Sequence, residues 1–251
     1  MASLEIFAWG THVVKSALAS STARVHEIFV SDPVPASAAD ILKRVESERI
    51  PVRRMNRNAL ADKLGSDKSQ NLGIRASLDT WDSVSDWLES SGFSTDAFLG
   101  IAMDEIQDPQ NVGSLIRSTH FFGGSLVLMA RDRAAPLTGS VAKASAGTLF
   151  SLPIVRAANL ARELDACREG GIWCVGLAAD AEKPLESLDF AKSPVMLVVG
   201  SEGSGLRNLT AKKCDEMASL PGKGEALNAA VAGAVAVYEI SKQRARKKAK
   251  S

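Results

Sequence analysis

The stretch Val198–Leu206, VVGSEGSGL, decides how the chain is read. It leaves the apolar run Val195–Val199 and enters a turn that holds Gly200, Gly203 and Gly205. An apolar run bounded by glycines reads as a buried strand, and the glycines let a ligand approach the backbone closely. Their order, G-x-x-G-x-G, is not the G-x-G-x-x-G of dinucleotide-binding folds. Nor does Gly205-Leu206-Arg207 close a P-loop, which needs Gly-Lys-Ser/Thr. Glu202 lies mid-loop, where a carboxylate repels pyrophosphate. The loop is therefore expected to face a neutral or cationic ligand in preference to phosphate.

On both sides of this loop, strand-like and helical spacings alternate. From Phe98 onward, strands are expected over 99–103, 125–129, 172–177, 195–199 and 217–220. Helices are expected over 112–122, 140–146 and 160–169, with a last one from about Leu227 to Arg246. That alternation implies a mostly parallel sheet covered on both faces, with ligands at the carboxyl ends of its strands. The N-terminal part reads as a smaller α/β unit, with helices over 11–19 and 37–48 and strands over 25–30 and 50–52. Between the two, LDTWDSVSDWLESSGFST is acidic, serine-rich and poor in aliphatic residues. The expected division is thus residues 1–77, a linker over 78–95, and residues 96–251.

With 251 residues, 45% of them hydrophobic, the chain can bury a full core. No apolar run approaches the roughly 18 residues of a membrane span. The opening MASLEIFAWG lacks the basic flank and apolar block of a secretory leader, so a cytoplasmic protein without membrane partners is expected. Cys167, Cys174 and Cys214 are odd in number and contain no C-x-x-C, which fits reduced thiols. His12, His26 and His120 have no metal-ligand spacing, and no metal is expected. Trp9, Trp81, Trp87 and Trp173 are scattered and read as packing residues. The net charge of +1 gives the whole molecule no nucleic-acid footprint, yet Arg49, Arg53, Arg54 and Arg57 cluster, as do Lys242, Arg244, Arg246, Lys247, Lys248 and Lys250. Each cluster reads either as a solvated segment or as a contact for an RNA or DNA backbone.

Three segments follow expected strand ends: Asp104–Gly124 (DEIQDPQNVGSLIRSTHFFGG), the glycine loop, and Leu220–Glu239 (LPGKGEALNAAVAGAVAVYE). In the first, Asp108-Pro109 starts a turn, Asn111 is a candidate N-cap, Gly113 allows close backbone approach, and Arg117 lies on the helix that follows. Asn-x-Gly-x-x-x-Arg, then Gly-x-Glu-Gly-x-Gly-Leu, then a Pro-led loop ending in Leu-Asn before an alanine-rich helix, together resemble the three motifs of the SpoU family of SPOUT RNA ribose 2′-O-methyltransferases. The likeness covers the whole chain, since FAWGTHVVKSAL is similar to the opening of the small RNA-binding domain that many members carry. It is strongest toward the subgroup that methylates a guanosine ribose in large-subunit ribosomal RNA, mitochondrial relatives included.

The resemblance implies a C-terminal α/β domain with a mostly parallel sheet and a deep trefoil knot, preceded by a small L30e-like α/β RNA-binding domain, and a homodimer. It implies S-adenosylmethionine as methyl donor, whose cationic sulfonium suits a loop carrying Glu202. Gly176, Leu177, Gly200, Ser201, Gly203, Leu220, Ala226 and Leu227 are carried over as its contacts, and Asn111, Arg117, Glu202 and Asn228 as the catalytic set. The implied partner is ribosomal RNA, with tRNA as the alternative, and Arg53, Arg54 and Arg117 are the expected RNA contacts. A mitochondrial or plastid matrix becomes the alternative compartment if a transit segment precedes this chain.

Arg117 is assigned to gripping an RNA phosphate and steadying oxyanion charge, because a guanidinium surrenders its proton too reluctantly to serve as a base. Glu202 is assigned to orienting Asn111 or Arg117, the alternative being that it takes the hydroxyl proton. Asn228 can cap the last helix and serve catalysis at once. The chain also departs from the family pattern. Ala226 and Ala230 stand where members have serines, the loop PGKGEA is short, and Asn71-Leu72-Gly73 replaces His-Gln-Gly. These departures leave a second expectation open, an RNA-binding ribosome-assembly factor that methylates slowly or not at all.

Overall fold

A computed structural model describes residues 2–92, 98–191, 193–224 and 226–248. Up to Thr80 the chain forms β1 (Ala2–Trp9), α1 (Thr11–Leu18), β2 (Ala23–Val30), α2 (Ala39–Ser47), β3 (Val52–Arg54), α3 (Arg57–Leu64) and β4 (Leu72–Thr80). The sheet order is β1-β4-β2-β3, with β4 antiparallel to both neighbours and β3 parallel to β2. The opening stretch, expected only to lack a leader, is a strand. Ile6 and Ala8 are buried at the two-residue period of a sheet with one face on the core. β3 lies slightly later than the expected 50–52 because its pairing starts at Ile28↔Val52.

Where a linker is expected over 78–95, most of the segment is structured. β4 continues to Thr80 opposite Ala2, and Trp81 bridges Val155 on the far sheet. Next comes α4 (Val84–Ser91), whose first turn is capped by Ser83 Oγ accepting the Asp86 N–H at 3.1 Å. The acidic and serine residues that resemble a linker are the cap and solvent face of this helix, while Val84 and Trp87 enter the core. Residues 93–97 lie outside those described.

The rest of the chain alternates strands and helices: β5 (Leu99–Asp104), α5 (Pro109–Phe121), β6 (Leu126–Ala130), α6 (Gly139–Ala144), β7 (Ile154–Ala157), α7 (Leu160–Glu169), β8 (Trp173–Leu177), β9 (Lys183–Pro184), β10 (Val195–Gly200), α8 (Asn208–Ala211), β11 (Glu216–Ser219) and α9 (Ala229–Lys248). They form a seven-stranded parallel sheet in the order β7-β6-β5-β10-β8-β11-β9. Every residue of β5, β6 and β10 is buried, as near-continuous apolar strands must be when both faces are covered. β5, β6 and β7 run outward in one direction and β8 lies on the other side, with β10 inserted between β5 and β8. The turn after β10 therefore emerges beside the turn after β5, at the switch point where ligands of such sheets bind.

The two units share one core, with Val13, Val14 and Ala17 of α1 in the same cluster as Val141, Leu149 and Phe150. A Cβ on Gly139 would fall 2.3 Å from the Phe7 carbonyl oxygen and one on Gly147 2.7 Å from Ser16 Oγ, so the seam closes only over glycine.

The basic end of the chain corrects one expectation. Arg244 is turned inward, its Nη2 donating to the carbonyls of Phe98 and Ser193 at 2.8 Å each and its Nε to that of Phe190 at 3.3 Å. The Phe98 and Ser193 carbonyls sit just ahead of β5 and β10 and that of Phe190 a few residues earlier; the Phe98 oxygen also accepts the Val195 N–H at 3.0 Å. Burial pulls the guanidinium below its ordinary pKa. Lys242 is spent on an ion pair with Glu239.

Candidate active site

At the carboxyl end of β5 the N-cap of α5 is Asp108, whose Oδ1 accepts the Gln110 N–H at 2.9 Å, with Pro109 in the first turn. Asn111, expected as the cap, is instead inside the helix. Its carboxamide is thereby free for other work, and it is 91% buried, with 9% relative exposure. Gly113 permits an approach of helices, since a Cβ there would lie 2.4 Å from that of Ala144.

The glycine loop closes into a ring. Ser201 and Gly205 exchange backbone hydrogen bonds at 3.2 and 3.0 Å, and a Cβ on Gly200 would fall 2.2 Å from the Gly205 carbonyl carbon. Gly203 and Gly205 hold φ of 82° and 65°, the left-handed region that suits glycine. Glu202 stands at the tip of this ring.

Asn228 precedes α9, and its Oδ1 accepts the N–H groups of Ala230 and Val231 at 2.9 and 3.1 Å. Its Nδ2 donates to Asn111 Oδ1 at 3.1 Å and to Glu202 Oε1, which also accepts Asn111 Nδ2 at 2.8 Å. Three motifs, the second 91 residues beyond the first and the third 26 beyond the second, thus meet in a closed triangle of hydrogen bonds: two carboxamides fix one carboxylate. As expected, one asparagine both caps a helix and joins this cluster. Beside it lies an open cavity of about 370 Å³ lined by Glu105, Asp108, Asn111, Ser201, Glu202 and Ser204. Its carboxylates disfavour a phosphate and favour a cation.

Arg117 stays apart from this triangle within one chain. It is exposed, and its side chain forms no hydrogen bond or ion pair among the described residues. Six residues beyond Asn111 it lies about 9 Å further along the helix axis and on another face. Gly176 and Leu177 end β8, Gly200, Ser201 and Gly203 follow β10, Leu220 follows β11, and Ala226 and Leu227 precede α9, so all eight cluster at carboxyl ends of the adjacent strands β10, β8 and β11 or on the segment leaving them. A Cβ on Gly176 would meet Met217 Sδ at 2.6 Å, so that glycine also answers to packing. Arg53 and Arg54 are exposed on β3, but Arg53 Nε pairs with the mostly buried Glu27 at 2.9 Å and Arg54 Nη1 approaches Asp32 at 3.6 Å. Cys214 is pushed up to about 12, chiefly by burial, which makes it a poor nucleophile.

One pair has no counterpart in the sequence reading. Asp104, the last residue of β5 and fully buried, accepts Arg207 Nε and Nη2 on Oδ1 at 2.8 and 2.7 Å and the Arg207 backbone N–H on Oδ2 at 3.0 Å. That hydrogen bonding holds the Arg207 guanidinium above its ordinary pKa. An aspartate at a strand end and an arginine after a glycine loop were both visible, but no local pattern joins positions so far apart.

Residues 99–238 match the SpoU rRNA Methylase family, and residues 7–78 match an RNA 2′-O ribose methyltransferase substrate-binding domain. The 23S rRNA (guanosine-2′-O-)-methyltransferase RlmB of Pseudomonas aeruginosa is 33% identical over 94% of this chain and 96% of its own. An uncharacterized tRNA/rRNA methyltransferase of Mycobacterium sp. (strain KMS) is 37% identical over 86% of this chain and 66% of its own, so the chain spans just under two thirds of that longer relative. The SpoU methyltransferase AviRb of Streptomyces viridochromogenes, crystallised with the cofactor AdoMet, superposes with a TM-score of 0.81 at 26% identity, covering 96% of this chain and 91% of that one. The triangle of Asn111, Glu202 and Asn228 falls inside the first match, and a relative one-third identical runs the length of both domains: the chain belongs to the SpoU family of RNA methylases.

Proposed function

We propose that this protein transfers a methyl group from S-adenosylmethionine to a ribose 2′-hydroxyl of RNA, on a guanosine of large-subunit ribosomal RNA, with tRNA as the alternative substrate. The observation that carries this reading is the Glu202 carboxylate held by the carboxamides of Asn111 and Asn228 beside a glycine ring. When bound, S-adenosylmethionine supplies a methyl group on a cationic sulfur. The residues fit such a donor: an acid-lined cavity suits the charge, and at Gly203 of the ring nothing lies within 4 Å of where a Cβ would stand, which leaves that backbone open to a nucleoside.

With the donor bound, its methyl group would pass to the ribose oxygen and the hydroxyl proton would go to a base of this chain. Most of the acceleration comes from holding the reacting atoms in line. Glu202 fixes Asn111 and Asn228, and these position the acceptor ribose. The described hydrogen bonds engage only Oε1 of Glu202, which leaves its second oxygen to receive the proton. Arg117 grips a phosphate of the RNA. Arg53 and Arg54 add backbone contacts from the smaller domain.

The same reading includes a homodimer and a threaded C-terminal segment. Phe121, Val231, Val235 and Tyr238 are 79, 47, 43 and 49% exposed on the adjoining helices α5 and α9, an apolar face of the kind that pairs with a second copy. Arg117 precedes Phe121 by one helical turn on this face, so pairing would bring it into a site assembled from two chains. The hydrogen bond from Asn228 to Glu202, which brings the end of the segment before α9 to the ring closed by Ser201 and Gly205, supports the threading.

Calorimetric titration with S-adenosylmethionine, joined to mapping of ribose methylation in ribosomal and transfer RNA from cells with and without the protein, tests this function. Donor binding and loss of one methylated guanosine are expected. A protein that binds RNA but no donor at millimolar concentration would be the assembly factor that Ala226 and Ala230 leave open.

A further inference from the structure

Asp104 controls both ends of the glycine ring. Its backbone pairs in register with Gly200, where the ring starts, and its side chain holds Arg207, just past where the ring ends. Both carboxylate oxygens are used, one by two nitrogens of the guanidinium and the other by the Arg207 backbone N–H. A second arm extends outward, with Arg207 Nη1 lying 3.1 Å from Glu105 Oε1 and Arg133 Nη1 3.2 Å from the same oxygen. Glu105 itself holds φ of 55°, so the backbone turns sharply at the clamp. A buried carboxylate costs much desolvation unless it is fully paired, and this one is paired only while the ring stays closed.

We propose that Asp104 and Arg207 are positioning residues of the methyl-transfer site: a buried ion pair that ties the two ends of the 200–207 loop to β5. It thereby keeps the ring shut and holds Glu202 where Asn111 and Asn228 meet it. The proposal rests on the donor reading for its functional consequence and on geometry alone for ring closure. A fork is required, because one guanidinium must present two nitrogens to a single carboxylate oxygen while its backbone serves the other; a lysine can supply only one such bond.

The test compares Arg207→Ala, Arg207→Lys and Asp104→Asn in the full-length protein by three measurements. These are amide hydrogen exchange at Ser201 and Gly205 without ligand, calorimetric binding of S-adenosylhomocysteine, and steady-state methyl transfer. Arg207 is partly exposed, so its variants keep the fold if Asp104→Asn does not. In Arg207→Ala, exchange at these two amides is expected to rise at least about tenfold, donor-analogue affinity to fall about tenfold, and kcat to fall further than RNA affinity. Arg207→Lys is expected to recover only part of each. Unchanged exchange at Ser201 and Gly205 in a folded Arg207→Ala protein overturns the clamp. Faster exchange with unchanged analogue affinity and kcat overturns its role in positioning. A wild-type protein that binds no analogue overturns the donor reading instead, and exchange then decides ring closure independently.

Discussion

The two ends of α9 are built for opposite purposes. At its start, Asn228 divides one carboxamide between the helix cap and the Asn111–Glu202 triangle, and its neighbours Leu227 and Val231 are half open to solvent. At its finish, Arg244 reaches into the body of the domain and satisfies carbonyls ahead of β5 and β10. The polar group at the start is shared between the helix cap and the candidate site, whereas the cation at the finish is consumed by the fold. The lesson concerns charge: a run of basic residues does not declare whether it serves a partner or the backbone, because the chain's own buried carbonyls compete for it.

This contrast can be broken by experiment. Arg244→Ala should lower stability by about 2 kcal/mol, since it removes the guanidinium from the Phe190 and Ser193 carbonyls and one of two donors from that of Phe98, while donor affinity per folded molecule stays unchanged. Urea unfolding with calorimetry on the refolded protein measures both, and a loss of affinity without a loss of stability would erase the difference between the ends. Asn228→Ala should do the reverse: methyl transfer falls about a hundredfold, with only about 1 kcal/mol of stability lost with the cap. Single-turnover methylation and thermal unfolding would sharpen that side.

Midway along the helix, Val235→Glu places a charge in the exposed apolar face. It should weaken self-association about tenfold or more in sedimentation velocity, with the monomer's fold intact. The smallest effect is expected near the basic end. The Glu239 carboxyl is held below the ordinary carboxylate range first by its hydrogen bond to Lys242, against burial, with Gln243 adding a second bond. A carboxyl with a depressed folded pKa adds stability above its unfolded value and loses it as pH falls through the folded one. Glu239→Gln should therefore cost about 0.5 kcal/mol at neutral pH and nothing once both carboxyl states are protonated, as read from unfolding across pH 3 to 7.

Much of the catalytic domain was legible. The strand at 195–199 and the helix at 160–169 follow from apolar runs and periodicity, and the motif residues Asn111, Glu202 and Asn228 do meet. Where the structure departs from the local reading, the causes are local. The expected linker lies between the two family matches but is helical over Val84–Ser91, which composition hid because only Val84 and Trp87 of that helix are buried and exposed positions dominate its sequence. Asn111 resembled a cap because Asp-Pro-x-Asn offers two capping side chains, and Asp108 takes the role. Arg117 belongs to the catalytic set by motif and stays apart from Asn111 within one chain, since six residues along a helix set it on a different face.

What the amino-acid order determined by itself is everything encoded within a few residues: the buried strands, the glycine ring that must bend through positive φ, the asparagine that starts α9, and the motif set that marks the family. What only the tertiary structure decided is every pairing across long stretches of chain: β10 inserted between β5 and β8, Asp104 closed on Arg207, and Arg244 spent on the carbonyls of Phe98, Phe190 and Ser193. The physical reason is range. Propensity and periodicity act over a turn or two of chain, but a buried charge or an unpaired carbonyl is satisfied by whichever group the packed sheet brings within about 3 Å of it.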